Sequence, residues 1–304
     1  MIPIILDTDI GDDVDDAFAL AYAIRHPQID LRAVTTVLGD TRWRAALALR
    51  LLDELDASTI PVAAGTPGGE RWPVALSGDV VVPPGTTDTR CEARPAWALM
   101  AEVLTQASEP VWLVTIGPAT NAARLIEMHP DCVDHLAGIV MMGGRHEPVM
   151  TREHNFGSDP TSAAVTCNSG LDVRVGDYVI TSQAQLRRSD LPRIQNIPGV
   201  GTSLAAMLET YLNRRGRGWT SMYDPAALTL AISEDFLSLD PAPMRATIVD
   251  EQIRFEGARR GARGLRLAAT IDAEGFHEHL LEIIDHPARP PAEGNPFGLS
   301  RSSP

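Results

Sequence analysis

Apolar positions fall into two patterns that alternate along the chain. Short β-branched runs at Ile2–Leu6, Leu31–Val37, Ile60–Ala64, Val111–Ile116, Gly138–Met142 and Tyr178–Thr181 read as strands. Between them, alanine- and leucine-rich stretches of helical period cover Asp15–Arg25, Thr41–Leu55, Pro95–Gln106, Ala119–Met128 and Pro160–Asn168. Apolar runs that each feed a helix are the pattern of βαβ units and of a parallel sheet covered on both faces. The predicted fold class is α/β: an open, doubly wound, mostly parallel sheet with helices on both faces and additional C-terminal helical and strand elements. Those additions are helices over Ser203–Arg215, Asp224–Ile232 and Glu274–Ile284, and strands over Arg245–Val249, Ile253–Phe255 and Leu265–Thr270. Asp159-Pro160 reads as an N-cap followed by a first-turn proline. Residues 287–304, rich in Pro, Gly and Ser, are expected to form a disordered tail, which leaves one domain over 1–286. Two connections, Gly65–Arg94 and Gly143–Ser158, exceed the lengths usual in such folds and are expected to wall a functional site.

Charge narrows the partners. The chain of 304 residues carries 26 Lys+Arg against 40 Asp+Glu, a net charge of −14 at pH 7. That balance lacks the clustered positive charge that a nucleic-acid or anionic-membrane binder needs. All 26 basic residues are arginine, so lysine chemistry, whether a Schiff base or a phosphate-loop ammonium, is excluded. Cys91, Cys132 and Cys167 are odd in number, far apart and in no metal-binding spacing. Reduced thiols, an N-terminus that reads as a strand rather than a signal peptide, and no bilayer-length apolar run predict a soluble cytoplasmic protein.

The run Asp7-Thr8-Asp9-Ile10-Gly11-Asp12-Asp13-Val14-Asp15-Asp16-Ala17 sets six carboxylates between the first strand and the first helix. Anions this dense repel unless a cation binds or some stay protonated, and helix capping accounts for one or two at most. Oxygen donors with no nearby His or Cys favour Ca²⁺ or Mg²⁺ over zinc. An EF-hand fails, because counting from Asp7 puts Gly11 at the fifth position and Phe18 at the twelfth. A haloacid-dehalogenase type of phosphotransferase also places Asp-x-Asp after its first strand. That pattern expects Gly-Thr or Gly-Val next and a downstream basic residue, usually lysine; here Ile10 intervenes and lysine is absent.

A third reading fits in several places at once. The Asp-x-Asp-x-Gly…Asp-Asp-Ala pattern resembles the signature of the inosine-uridine-preferring, Ca²⁺-dependent nucleoside hydrolases. Further matches follow in order: Thr35-Thr36-Val37-Leu38-Gly39-Asp40, Pro61-Val62-Ala63-Ala64-Gly65, Gly117-Pro118-Ala119-Thr120-Asn121, Met142-Gly143-Gly144, Glu153-His154-Asn155, Asp159-Pro160, Asp224-Pro225 and Ile271-Asp272. Independently of the resemblance, Asp9, Asp40, Ile116 and Gly143 each follow the carboxyl end of a predicted strand, where open α/β sheets bind ligands. The resemblance implies hydrolysis of the N-glycosidic bond of ribonucleosides to ribose and free base through an oxocarbenium-like transition state, in purine or pyrimidine salvage. By position, Asp9 would touch Ca²⁺ and act as general base on the attacking water. Asp16, the Ile116 carbonyl and Asp224 would complete the metal shell. Asp15, Glu153 and Asn155 would bind the sugar, which predicts poor activity on 2′-deoxynucleosides. The resemblance also implies a homodimer or homotetramer.

Departures from the family pattern shape the remaining expectations. The first turn is two residues longer than is common, so Asp15 and Asp16 take the sugar and metal roles and Asp12 and Asp13 are left without one. Asp40 replaces an Asn and is expected beside the substrate and cation. The Gly-Asn expected after Gly144 has its nearest counterpart by count at Glu147. Tyr223 stands where many members have a His that protonates the leaving base, and a phenol is a weaker acid. Leaving-group activation then falls to Tyr223, His146 or His154, or is less needed because the leaving group is already good, with Tyr211 and Trp219 placed to stack on the base. Two alternatives accompany this reading: a catalytically weakened ribose- or nucleoside-binding relative, and a hydrolase of an unusual ribosyl substrate.

Overall fold

The computed structural model describes residues 1–67, 76–146, 153–258 and 264–287. The chain opens with β1 (Ile2–Thr8), α1 (Asp15–Arg25), β2 (Ile29–Thr36), α2 (Thr41–Glu54) and β3 (Val62–Ala64). It continues through α3 (Ala96–Gln106), β4 (Val111–Thr115), α4 (Thr120–Met128), β5 (Leu136–Met142), α5 (His154–Ser158), α6 (Pro160–Cys167) and β6 (Val173–Gly176). A more irregular stretch follows, with α7 (Tyr178–Thr181), β7 (Gln185–Arg187), α8 (Leu191–Gln195), α9 (Gly201–Arg215), β8 (Trp219–Ser221) and α10 (Tyr223–Leu228). The last described elements are β9 (Leu237–Leu239), β10 (Met244–Val249), β11 (Gln252–Gly257), β12 (Arg266–Ile271) and α11 (Ala273–Asp285).

Eight strands form one open sheet in the order β3-β2-β1-β4-β5-β6-β12-β9. Every pairing in it is parallel except that of β12 with β9. The chain steps outward from β1 to β2 and β3, then returns to the other side of β1 with β4. That reversal parts the loops after β1 and β4 and leaves a crevice at their carboxyl ends, the usual ligand position in doubly wound sheets. Period-two alternation in β1 sends Ile4 and Leu6 toward α1, α2, α9, α10 and α11, and Ile5 toward α3, α4, α6 and the β10–β11 hairpin. Both faces are thereby covered.

Helix α1 explains how the site tolerates buried charge. Its Phe18, Leu20 and Tyr22 are enclosed, and so are Asp15 and Asp16 of its first turn. Burying a large apolar side chain contributes about 1.5–3 kcal/mol, and several of them offset the several-kcal/mol penalty of enclosing an ion. The acidic turn is carried on a strand and a helix that packing holds firmly.

Most expected elements are present within a residue or two of their predicted ends. Tyr178–Thr181 is not a strand. The strand beside β5 is instead Val173–Gly176, and Asp177 caps a single helical turn by accepting from Ile180 N at 2.9 Å. A local cap here overrides β-branched propensity. The predicted C-terminal strand at Leu265–Thr270 joins the main sheet beside β6, whereas the two strands before it form a hairpin with each other, bridged to Leu265 at Met244. Short strands β7, β8 and β9 lack a legible alternation. The tail from 288 onward and Glu147 lie outside the described residues. Among the described residues, no helix is long and apolar enough to cross a membrane.

Candidate active site

A cavity of about 370 Å³ opens at the β1/β4 switch point. It is lined from the acidic turn by Asp9, Asp13, Asp15 and Asp16, from the carboxyl ends of β4 and β5 by Ile116, just after β4, and Met142, and from the start of α5 by its cap Glu153 with His154 and Asn155. The opposite wall comes from Tyr178, Tyr211, Arg215, Arg217, Trp219, Tyr223 and Asp224. Ten of the eleven sequence-predicted site residues therefore share one cleft. The second long connection reaches it through α5. Among the described residues, the first does not line the cleft: it packs beneath the acidic turn, where Ser77 N and Gly78 N donate to the Gly11 carbonyl at 2.9 and 3.1 Å.

Asp40 is the exception, and it corrects the expectation of a substrate contact. Its carboxylate turns back onto α2 and accepts from Trp43 N at 3.0 Å, an N-cap. It borders a separate surface depression with Glu92 and Arg94. An exposed aspartate at a helix start gains more from the free N–H groups beside it than from pointing across a strand into a cleft already crowded with anions.

The turn is built around backbone constraints. Gly117, after β4, is required because a Cβ there would stand 2.8 Å from Asp9 Oδ1. Gly143, after β5, has φ +152° and would drive a Cβ to 2.3 Å from the Phe156 ring. Asn155 ties the two strand ends together, its Nδ2 donating to the Ile116 carbonyl at 2.7 Å and the Met142 carbonyl at 3.1 Å. Thr8 Oγ1 donates to Asp16 Oδ1, and Asp224 N donates to Asp15 Oδ2 at 3.3 Å. Asp7 points away from the cleft, where Thr35 and Asn121 donate to its Oδ1 at 2.7 and 2.8 Å. Burial nevertheless pushes its pKa up to about 7.

Electrostatically the cleft is over-supplied with acid. Burial, reinforced by neighbouring carboxylates, holds Asp15, Asp16 and Asp224 well above the usual carboxylate range. Burial also raises Glu153 and Asp13. Asp13, Asp15 and Asp16 each offer an oxygen within 4.8 Å of the others. Enclosed, mutually repelling, all-oxygen donors of this kind suit a hard divalent cation, so the cluster fits a metal of that class. Glu153, which lines the cleft, also caps α5 by accepting from Phe156 N.

His154, singled out as a candidate acid, lies on Asp9 rather than on the aromatic wall, with Nε2 3.2 Å from Oδ2. His146, the other candidate, meets the Phe255 ring edge-on at 6.3 Å between centroids and does not line the cleft. Tyr223 stacks on Tyr178 at 5.4 Å between centroids, and burial raises its pKa further despite a hydrogen bond with Ser221. Tyr211 OH donates to Asp13 Oδ2 at 3.4 Å, which gives one of the two inserted aspartates a place in the cleft. Tyr178, Arg145, Arg215 and Arg217 were not legible as site residues. Arg215 lies over Tyr211 and Arg217 over Trp219, at 5.9 and 5.7 Å from the ring centroids. A basic Arg-Arg-x-Arg run between the expected stacking residues Tyr211 and Trp219 was the one available signal.

The chain is similar to known proteins over nearly its whole length. Residues 4–278 match the family model described as inosine-uridine preferring nucleoside hydrolase. A non-specific ribonucleoside hydrolase, RihC, of Klebsiella pneumoniae is 30% identical over 93% of this chain and 98% of its own length. A plant nucleoside hydrolase, PpNRh1, superposes with a TM-score of 0.79 at 23% identity, covering 94% of this chain and 99% of that one. A purine-preferring ribonucleoside hydrolase from Gardnerella vaginalis gives 0.80 at 22% identity, with the same coverage.

Proposed function

Because the chain belongs to the inosine-uridine preferring nucleoside hydrolase family, whose members hydrolyse N-glycosyl bonds, we propose that it is a Ca²⁺-dependent ribonucleoside N-ribohydrolase. The observation that carries this reading is the convergence of Asp9, Asp15, Asp16 and Asp224 on one cleft at the switch point. Asp9, Asp16, Asp224 and the Ile116 carbonyl would hold the ion. Bound there, Ca²⁺ would supply Lewis-acid polarisation of the attacking water and of sugar hydroxyls.

The chain's own residues do the rest. Asp9 accepts a proton from the attacking water, general-base catalysis worth about 10²–10⁴ in rate. Asp15, Glu153 and Asn155 orient the ribose by its hydroxyls, and the carboxylate field around them stabilises positive charge developing on the sugar ring. Tyr211 and Trp219 stack on the base, and the Tyr223 hydroxyl, which keeps its proton at working pH, donates a hydrogen bond to it as it departs. The same reading carries a single domain over 1–286, a cytoplasmic homodimer or homotetramer, and a role in nucleoside salvage.

Release of reducing sugar from a panel of ribonucleosides, with and without Ca²⁺, tests the proposal. Activity that depends on Ca²⁺ and falls about 10⁴-fold on 2′-deoxynucleosides supports it, and inactivity on every ribonucleoside together with absent Ca²⁺ binding overturns it. The phenol at Tyr223 favours one variant, a substrate whose base is already a good leaving group, which the same panel would identify by its rate.

A further inference from the structure

Arg44 is the largest side chain sealed in the core, 1% exposed, and it lies under the acidic turn. Its guanidinium makes four hydrogen bonds. Nη2 donates to Asp12 Oδ2 at 2.8 Å, Nη1 to the carbonyls of Ile10 at 2.9 Å and of Asp9, and Nε to the Leu38 carbonyl at 2.7 Å. Leu38 is a non-glycine residue with φ +67°, fully buried, at the start of the turn leading into α2. A left-handed leucine is uncommon and persists only where its surroundings hold it. One planar fork therefore gathers the turn after β1 and the turn after β2, with a carboxylate contributed by the two-residue insertion.

On the reading that Asp9 is the general base, we infer that Arg44 is a positioning residue for it and that Asp12 exists to complete the clamp. The Asp9 carbonyl is fixed from below while its carboxylate faces the cleft, so the guanidinium sets where the base stands relative to the attacking water. Only arginine can do this: its donors diverge in a rigid plane, whereas a lysine ammonium in the same volume cannot reach two strand-end turns and a carboxylate together. Asp12, which the family pattern left without a role, balances the buried charge and orients the fork. Asp13, its neighbour in the insertion, turns the other way into the cleft.

Arg44→Lys conserves charge and removes the fork, and Asp12→Asn removes charge and keeps an acceptor for Nη2. The experiment measures kcat and KM on a ribonucleoside that the unmodified protein cleaves, Ca²⁺ affinity by calorimetry, and the thermal midpoint. Displacing a reacting group by about 1 Å typically lowers rate about 10²-fold, so folded Arg44→Lys should lose about that in kcat with KM within about threefold. Folded Asp12→Asn should lose between about twofold and about tenfold in kcat. A purely structural role would move the midpoint and leave kcat per folded molecule within about twofold, which would overturn the inference. Should Arg44→Lys not fold, a loss beyond about tenfold in folded Asp12→Asn overturns it too, since geometry would then matter less than charge. If the unmodified protein cleaves no ribonucleoside, the functional reading fails separately, and the clamp is judged on Ca²⁺ alone. Affinity weakened about fivefold or more by the charge-conserving Arg44→Lys sustains it, and a smaller change ends it.

Discussion

His154 Nε2 stands 3.2 Å from Oδ2 of Asp9. Burial alone would lower the His154 pKa, but the hydrogen bond and charge of Asp9, with Asp13 and Asp12 behind it, push it from 6.5 up to about 9. A folded-state pKa above the unfolded one means that the folded protein binds more protons between the two values. The pair's stabilisation is thus complete below pH 6.5 and is lost as pH rises through about 9. Asp7, raised from 3.8 to about 7, acts in the same sense at lower pH. The thermal midpoint of metal-free protein should fall from pH 6.5 to 9, and His154→Phe should flatten that upper part of the profile.

Ca²⁺ should reverse this trend. Ligands must be deprotonated to bind, and burial holds Asp16 and Asp224 above the ordinary range, so affinity should fall as pH is lowered. At a hundred times the dissociation constant the ion should add about 2.7 kcal/mol of stability. Chelation should remove both that increment and activity, with recovery on re-addition, as read by calorimetry and a reducing-sugar assay.

Asp9→Asn keeps the size of the side chain and the backbone bond to Arg44 while removing the base. Its kcat should fall about 10³-fold, within the range for general-base loss, with little change in KM. A loss confined to KM would assign Asp9 to substrate binding instead.

Tyr223→Phe removes a hydrogen-bond donor without disturbing the stack on Tyr178. Nucleosides should lose about tenfold in kcat, roughly one hydrogen bond, whereas a p-nitrophenyl riboside, whose leaving group needs no help, should be unaffected. Tyr223→His should raise turnover of purine ribonucleosides by supplying a stronger acid. Equal losses on both substrates would place the tyrosine elsewhere in the mechanism.

Asp40→Ala should lower stability by about 1 kcal/mol through loss of the α2 N-cap and leave kcat and KM unchanged. Thermal melts and steady-state kinetics on the same preparation check both halves.

Much of the fold was legible because parallel strands buried on both faces leave unbroken apolar runs, as at Ile2–Leu6. The acidic turn was legible because six carboxylates have few structural uses. Tyr178–Thr181 misled, since a β-branched run there is governed by the cap at Asp177. Tyr178 entered the site unannounced for the same reason: its place depends on packing against Tyr223, 45 residues later in the chain.

The sequence by itself determined the order of strands and helices through β5 and α6, the carboxylate inventory and the motifs that name the family, all of which follow from local periodicity and residue chemistry. Tertiary structure alone decided which acids act together. It turned Asp40 onto α2, sent Asp12 down to Arg44 and Asp13 up to the cleft, and set His154 on Asp9. Neighbouring residues in one turn carry the same charge and the same spacing. Only the positions of distant partners, Arg44 from one helix and Tyr211 from another, determine which way each carboxylate faces.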